Sequence, residues 1–212
     1  MQNVYFISGL GANEKAFSFL DLSFCNPIFI QWVEPQQNET LEHYALRLSA
    51  QIKEPTATIV GLSFGGMLAT EIAKRNPEFK VIIISSNKVY TEFPKLLKIG
   101  KYFPAYKWLP NTAMKKSGNI STWILGAKGS EQRIIQKQIV QETDPVFIKW
   151  AISAIMHWQN TVIPKNLVHI HGTADKLLPY RFVKADYTID GGEHLMIMDN
   201  PNEISTLLKQ LI

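Results

Sequence analysis

The segment Gly61-Leu62-Ser63-Phe64-Gly65-Gly66 stands where an apolar run, residues 57–62, gives way to a helical pattern, residues 64–75, that stops before Pro77. A strand that turns this abruptly into a helix forces the residue at the corner into a strained backbone conformation, and glycines two positions to either side remove the side chains that would clash there. The Ser63 hydroxyl is then pushed out beyond the strand end, and the helix N-terminus behind it favours negative charge. The plain alternative is a glycine-rich turn that happens to contain a serine. Its place between a buried strand and a helix argues for an activated hydroxyl instead.

Outward from this corner, short apolar runs alternate with helical patterns. Residues 4–8, 27–33 and 80–85 read as strands, and their continuous β-branched character suggests burial on both faces, as in a parallel sheet. Leu41, Tyr44, Ala45, Leu48 and Ile52 recur at helical spacing, with Thr40 as cap and Pro55 as stop. After Ser86 the rhythm breaks. Residues 88–160 show no convincing buried strand, yet they hold four of the five tryptophans, Trp108, Trp123, Trp150 and Trp158. Two helices are evident there. One covers 131–141. The other opens with Asp144 as N-cap and Pro145 at the first helical position, and it gathers Phe147, Trp150, Ala151, Ala154, Ile155 and Trp158 on one side. Strands resume at 166–171 and 185–189. A last helix starts at Asn200-Pro201, where Glu203 would complete a capping box. The alternation implies right-handed crossovers and a sheet of about six mostly or wholly parallel strands. The core is formed by 1–87 and 161–212, and 88–160 is a helical insertion.

Two further loops carry chemistry. His169-Ile170-His171-Gly172-Thr173-Ala174-Asp175 ends a strand and presents Asp175, a turn aspartate unless the Ser63 edge is also its own. Asp190-Gly191-Gly192-Glu193-His194 follows the last strand, and its glycines give the loop freedom to aim His194. His169 and His171 share one side of their strand, but no third residue at metal-ligand spacing accompanies them. His43 lies on an amphipathic helix and His157 among aromatic residues of the insertion, so neither competes with His194. The order serine, acid, histidine is one of several that place these groups together on unrelated folds.

With these residues the sequence resembles the α/β-hydrolase superfamily in a short form, over nearly the whole chain. The resemblance implies Ser63 as nucleophile, His194 as general base, Asp175 as its orienting acid, and 88–160 as a cap over the site. It also implies that the chain starts at the third strand of the family. The oxyanion hole would combine the backbone N–H of Phe64 with one from Ser8-Gly9-Leu10-Gly11-Ala12. Leu10 is the preferred donor there, with Gly9 and Gly11 as alternatives, because Ser8-Gly9 replaces the family's usual His-Gly. The implied activity is cleavage of a small-molecule carboxylic ester or thioester through an acyl-enzyme, without cofactor or metal. The alternatives are a lyase, C–C hydrolase or cofactor-free peroxidase on the same residues, and a non-catalytic binding protein of the same fold.

Composition narrows the field further. The 212 residues are 46% hydrophobic and 19% charged, enough to bury a sizeable α/β core. The net charge of +4 is dispersed rather than gathered into the stripe or tail of a nucleic-acid binder. The local exception comprises Lys88, Lys95, Lys98, Lys101, Lys107, Lys115 and Lys116. It reads as a solvated face, with an anionic substrate, an acidic carrier protein or a lipid surface as functional alternatives. The single cysteine, Cys25, permits no intrachain disulfide and reads as a buried thiol. The first residues lack a secretory profile and no run is long enough to span a bilayer, so a cytoplasmic protein without stable membrane insertion is expected.

Overall fold

The computed structural model describes residues 1–94, 108, 110, 125–126 and 128–212. Strands β1 (Asn3–Ile7), β2 (Asn26–Phe29), β3 (Thr58–Leu62), β4 (Lys80–Ile84), β5 (Leu167–Gly172) and β6 (Tyr187–Ile189) form one sheet in the order β2-β1-β3-β4-β5-β6. Every neighbouring pair is parallel, as the buried apolar runs predict. The helices are α1 (Leu41–Leu48), α2 (Phe64–Arg75), α3 (Ser130–Glu142), α4 (Pro145–His157), α5 (Met196–Asp199) and α6 (Pro201–Leu211).

Alternate strand residues feed two apolar layers. Ile59, Val81 and Ile83 pack with α1, α2 and α4 on one face. Val60, Ile82, Ile84 and Ile170 pack with Ile204 and Leu208 of α6 on the other. The chain leaves β1 toward one edge of the sheet and β3 toward the other, so the gap between these strands is the topological switch point. In open parallel sheets a crevice forms there, beyond the carboxyl ends of the strands.

Local predictions hold where the partner is close in sequence. The Thr40 hydroxyl accepts from the His43 amide at 3.3 Å and the Asp144 carboxylate from the Val146 amide at 2.9 Å, so α1 and α4 begin as expected. The capping box at Asn200 does not form. The Asn200 side chain makes no cap hydrogen bond, and its amide, which Glu203 would accept from, is spent on Met196 O at 2.7 Å. Strand β2 stops at Phe29, short of residue 33, because side chains replace the ladder: Gln51 bonds both the amide and the carbonyl of Gln31, and the Tyr44 hydroxyl does the same for Val33. Strand β6 begins only at Tyr187, since the Asp186 carboxylate takes the His169 amide at 2.8 Å.

The two ends of the 88–160 segment meet. Tyr90 N donates to Asn160 O at 2.9 Å, and Asn160 Nδ2 donates to Lys88 O at 2.8 Å. Lys88 departs from the expected solvated face: it is buried, with its ammonium on Lys184 O. Trp108 is exposed, whereas Trp158 is buried and Trp150 packs against the core. Trp123 and Lys95, Lys98, Lys101, Lys107, Lys115 and Lys116 lie outside the described residues. Among the described residues no helix is long and apolar enough to cross a membrane.

The start of α2 is pressed against backbone. A Cβ on Gly65 would sit 2.2 Å from Ile7 O and 2.4 Å from Ser8 O, and one on Gly61 would sit 2.5 Å from Gly65 O. Neither carbonyl can move without breaking the β1 end. Gly65→Ala is therefore expected to lower the unfolding free energy by about 1–3 kcal/mol or more, measured by urea denaturation, and an unchanged midpoint would refute this packing.

Candidate active site

Ser63 closes β3 and opens α2 with φ 50° and ψ −116°, a left-handed conformation that costs a non-glycine residue of order 1–3 kcal/mol. Two hydrogen bonds from β4 and the residues after it hold it. Its amide donates to Ile84 O at 2.8 Å. Its carbonyl accepts from Ser86 Oγ at 2.7 Å. Gly66 leaves room for Ser86, whose Oγ would lie 2.5 Å from a Cβ at that position. The sequence singled out the glycines, but Ser86 was not foreseen, since nothing in its neighbourhood shows that β4 lays it beneath the corner.

Asp175 and His194 arrive on two loops that are laced together by backbone. Thr173 N donates to Ile189 O at 3.0 Å, and Ala174 N to Gly192 O at 2.9 Å. Gly172 and Gly192 meet directly: a Cβ on Gly172 would lie 2.1 Å from Gly192 O. A Cβ on Gly192 would in turn lie 3.1 Å from Gly172 Cα and from Ile189 Cβ, so the glycine at 192 serves close approach rather than the loop freedom inferred from sequence. Gly191 alone needs a left-handed backbone, at φ 64°.

The three side chains converge. Ser63 Oγ lies 3.0 Å from His194 Nε2, and His194 Nδ1 lies 2.8 Å from Asp175 Oδ2. The second carboxylate oxygen of Asp175 accepts the amides of Leu177 and Leu178 at 2.9 and 2.8 Å. Burial alone would raise the Asp175 pKa. The facing His194 charge and these hydrogen bonds outweigh it, and the carboxyl is held below its ordinary range.

Behind Asp175 sits the histidine pair. His171 Nε2 lies 2.8 Å from Leu178 O and 3.6 Å from Asp175 Oδ2. A carbonyl only accepts, so Nε2 of His171 carries the proton and its Nδ1 accepts from His169 Nε2, 3.1 Å away. The His169 Nδ1 that remains is buried without a partner. The two rings are used on each other and on Leu178 rather than as a pair of metal ligands. Burial lowers the pKa of both, reinforced for His169 by the neighbouring His171 and Lys88 charges.

The loop after β1 lies beside the corner. A Cβ on Gly9 would stand 3.5 Å from Ser63 Cβ, and Gly11 adopts φ 69°. Its shape is set by groups the sequence did not disclose: Ser8 Oγ and Trp32 Nε1 both donate to Ala12 O, at 2.7 and 2.6 Å, and Thr143 Oγ1 donates to Gly11 O. A cavity of about 540 Å³ opens here, and Gly9, Leu10, Ser63, Phe64 and His194 are among its walls. From the 88–160 segment come Ile139 and Val140 of α3 and Ile152, Ile155 and Met156 of α4. Tryptophan contributes less to this wall than to packing. Trp158 borders the cavity but is buried and donates to Glu71 Oε1 at 2.8 Å, and Trp150 donates to Glu39 O at 2.9 Å. Cys25 is a buried free thiol and is not among the described residues that line the cavity.

A six-stranded parallel sheet with this serine, acid and histidine at its carboxyl edge is the α/β-hydrolase fold. Solved structures share it: a hydrolase from Pseudomonas aeruginosa (TM-score 0.76, 11% identity, 99% of this chain and 89% of that one), and a lipase-esterase related protein from Clostridium acetobutylicum (0.73, 18%, 100% and 94%). A thermophilic esterase from Thermogutta terrifontis is a third (0.71, 15%, 99% and 89%). In sequence, the biotin biosynthesis bifunctional protein BioHC of Teredinibacter turnerae is 24% identical over 212 aligned positions, covering 82% of this chain. The chain spans only 36% of that relative's length. No protein-family model matches.

The depressed histidines link stability to pH. Below the ordinary histidine value of 6.5 the unfolded chain takes up protons that folded His169 refuses, so stability falls as pH falls. The slope due to His169 approaches about 1.4 kcal/mol per pH unit. Asp175, whose pKa is depressed, adds a loss only at lower pH, beneath its ordinary 3.8. Urea unfolding of His169→Gln and the parent between pH 4.5 and 6.5, about two units below the ordinary value, should show the shallower slope in the variant; parallel slopes would contradict a buried neutral His169.

Proposed function

We propose that the protein is a serine hydrolase that cleaves a carboxylic ester or thioester through an acyl-enzyme on Ser63. The reading is carried by the series of hydrogen bonds from Ser63 Oγ to His194 Nε2 (3.0 Å) and from His194 Nδ1 to Asp175 Oδ2 (2.8 Å). His194 removes the hydroxyl proton as Ser63 Oγ attacks the carbonyl carbon, and Asp175 fixes the tautomer and stabilises the imidazolium that forms. The tetrahedral oxyanion is received by the amides of Phe64 and Leu10. Two facts support these donors. The Phe64 amide opens α2 and has no intrahelical acceptor, and Leu10 belongs to the loop whose Gly9 abuts Ser63. Each such donor is worth about 3 kcal/mol of barrier. His194 then gives its proton to the leaving alcohol or thiol as the tetrahedral intermediate collapses. In the second half, water attacks the acyl-enzyme, His194 takes its proton, and Ser63 leaves with that proton restored.

Residues 88–160 act as a cap on this site. The closure of the segment's ends at Lys88 and Asn160 and the α3 and α4 side chains in the cavity wall support that division from the core, 1–87 and 161–212. The esterase and lipase-related neighbours share the fold with this chain, and the small-molecule ester substrate is consistent with theirs.

A fluorophosphonate probe tests the assignment. It should label the parent at Ser63, and Ser63→Ala should abolish labelling. On p-nitrophenyl esters Ser63→Ala and Asp175→Asn are each expected to lower kcat by about 10³-fold or more. Folded protein that neither labels nor turns over any ester would favour the binding-protein alternative.

A further inference from the structure

Gln136 is a buried polar residue in a mostly apolar wall; Gln159, which also lines the cavity, is exposed, and its Nε2 donates to Trp158 O at 3.2 Å. Gln136 lies on α3 one turn before Ile139 and Val140, and all three line the cavity that holds Ser63 and His194. Its side chain is only 4% exposed. Both carboxamide atoms, Nε2 and Oε1, are buried with no hydrogen-bond partner. The contrast with its helical neighbour is direct: Gln132, one turn earlier, spends its Nε2 on Met198 O at 3.3 Å. Burying an amide without partners is unfavourable, and an apolar residue of similar volume would avoid that cost. A retained, unpaired carboxamide at a cavity surface is therefore placed for a ligand.

We propose that Gln136 is a specificity-determining residue, selecting substrates that carry a neutral hydrogen-bonding group, a secondary amide or hydroxyl, within an otherwise apolar chain. A carboxamide offers two donors and an acceptor with two lone pairs, so its complement is a group that both donates and accepts. The carboxamide carries no charge to pair with an ionised group, and an unpaired buried charge is strongly disfavoured. Sites built to hydrogen-bond a substrate discriminate sharply against analogues that lack the group, because their own polar atoms are then left unpaired. This assignment rests on acyl transfer at Ser63 as the reaction.

The test compares p-nitrophenyl esters of plain medium-chain acids with matched esters in which an amide or hydroxyl is stepped along the chain. The parent should prefer the polar ester at one position by about tenfold or more in kcat/KM, expressed chiefly in KM. Gln136→Met, which keeps the volume and removes the hydrogen bonding, should abolish that preference. A parent that prefers the plain ester at every position, or a preference that survives in Gln136→Met, would overturn the proposal. Binding separates this failure from failure of the hydrolase reading. Alkyl methyl ketones, plain and matched with an amide or hydroxyl, are compared by thermal shift in both proteins. If no ester is turned over, the hydrolase reading fails by itself; a parent that alone binds the polar ketone more tightly still supports Gln136 as the group that selects the ligand, and equal binding by the two proteins overturns it. If Gln136→Met and Gln136→Leu both fail to fold, the carboxamide is structural and the proposal falls.

Discussion

The site depends on how closely the first turn of α2 lies against the ends of β1 and β3. With Gly65 against the carbonyls of Ile7 and Ser8, the helix cannot start anywhere else, and the residue before it must make the corner in one step. Ser63 accepts the left-handed backbone because Ile84 and Ser86 hold its amide and carbonyl. The same approach brings the loop after β1 alongside Ser63 Cβ. The Ser63 corner and the placing of the loop after β1 are thus consequences of one packing contact at the switch point, where the sheet opens.

A second backbone contact does comparable work for the other two groups. Gly172 against Gly192 joins the loop of the acid to the loop of the histidine, and the backbone bonds between the loops hold Asp175 and His194 together. Desolvation of Asp175 would be prohibitive for an isolated carboxylate. Here two backbone amides occupy one oxygen and His194 the other, so the ion is paired and fully satisfied. That state lets a buried carboxylate stay charged and orient an imidazole. The histidines behind it take the opposite course and remain neutral, passing a hydrogen bond from His169 through His171 to Leu178.

What the sequence disclosed follows from this division. Ser63, Asp175 and His194 each sit in a local pattern of strand end and glycine that survives without knowledge of the fold, and their chain order tied the patterns together. Thr40 and Asp144 were legible as caps because the amides that donate to them, those of His43 and Val146, lie within a few residues. Ser86, Trp32 and Thr143 were not legible, since each acts on a segment brought to it only by the folded sheet. The capping box at Asn200 failed for a local reason: the short helix α5 directly before it consumes the amide that a reading of the following helix leaves free. Lys88 looked like one of a solvated series until its neighbours enclosed it.

The helices between β4 and β5 join these themes. One side of α4 belongs to the core, through Phe147, Ala151, Ala154 and Trp158, and another, through Ile152, Ile155 and Met156, to the cavity wall. Trp158 is fixed from below by the Glu71 carboxylate of α2, the helix that begins at Ser63. On α3, Ile139 is buried in the opposite layer, and Thr143, one turn on, reaches the Gly11 carbonyl of the loop after β1. Residues that shape the cavity are therefore braced by the elements that shape the reacting groups. A substitution at Gln136 or Ile155 changes the space beside Ser63 without touching the glycine contacts that create it. The space beside Ser63 can therefore change while Ser63, Asp175 and His194 stay in place, because that part of the cavity wall comes from α3 and α4 and the three side chains come from the ends of β3, β5 and β6.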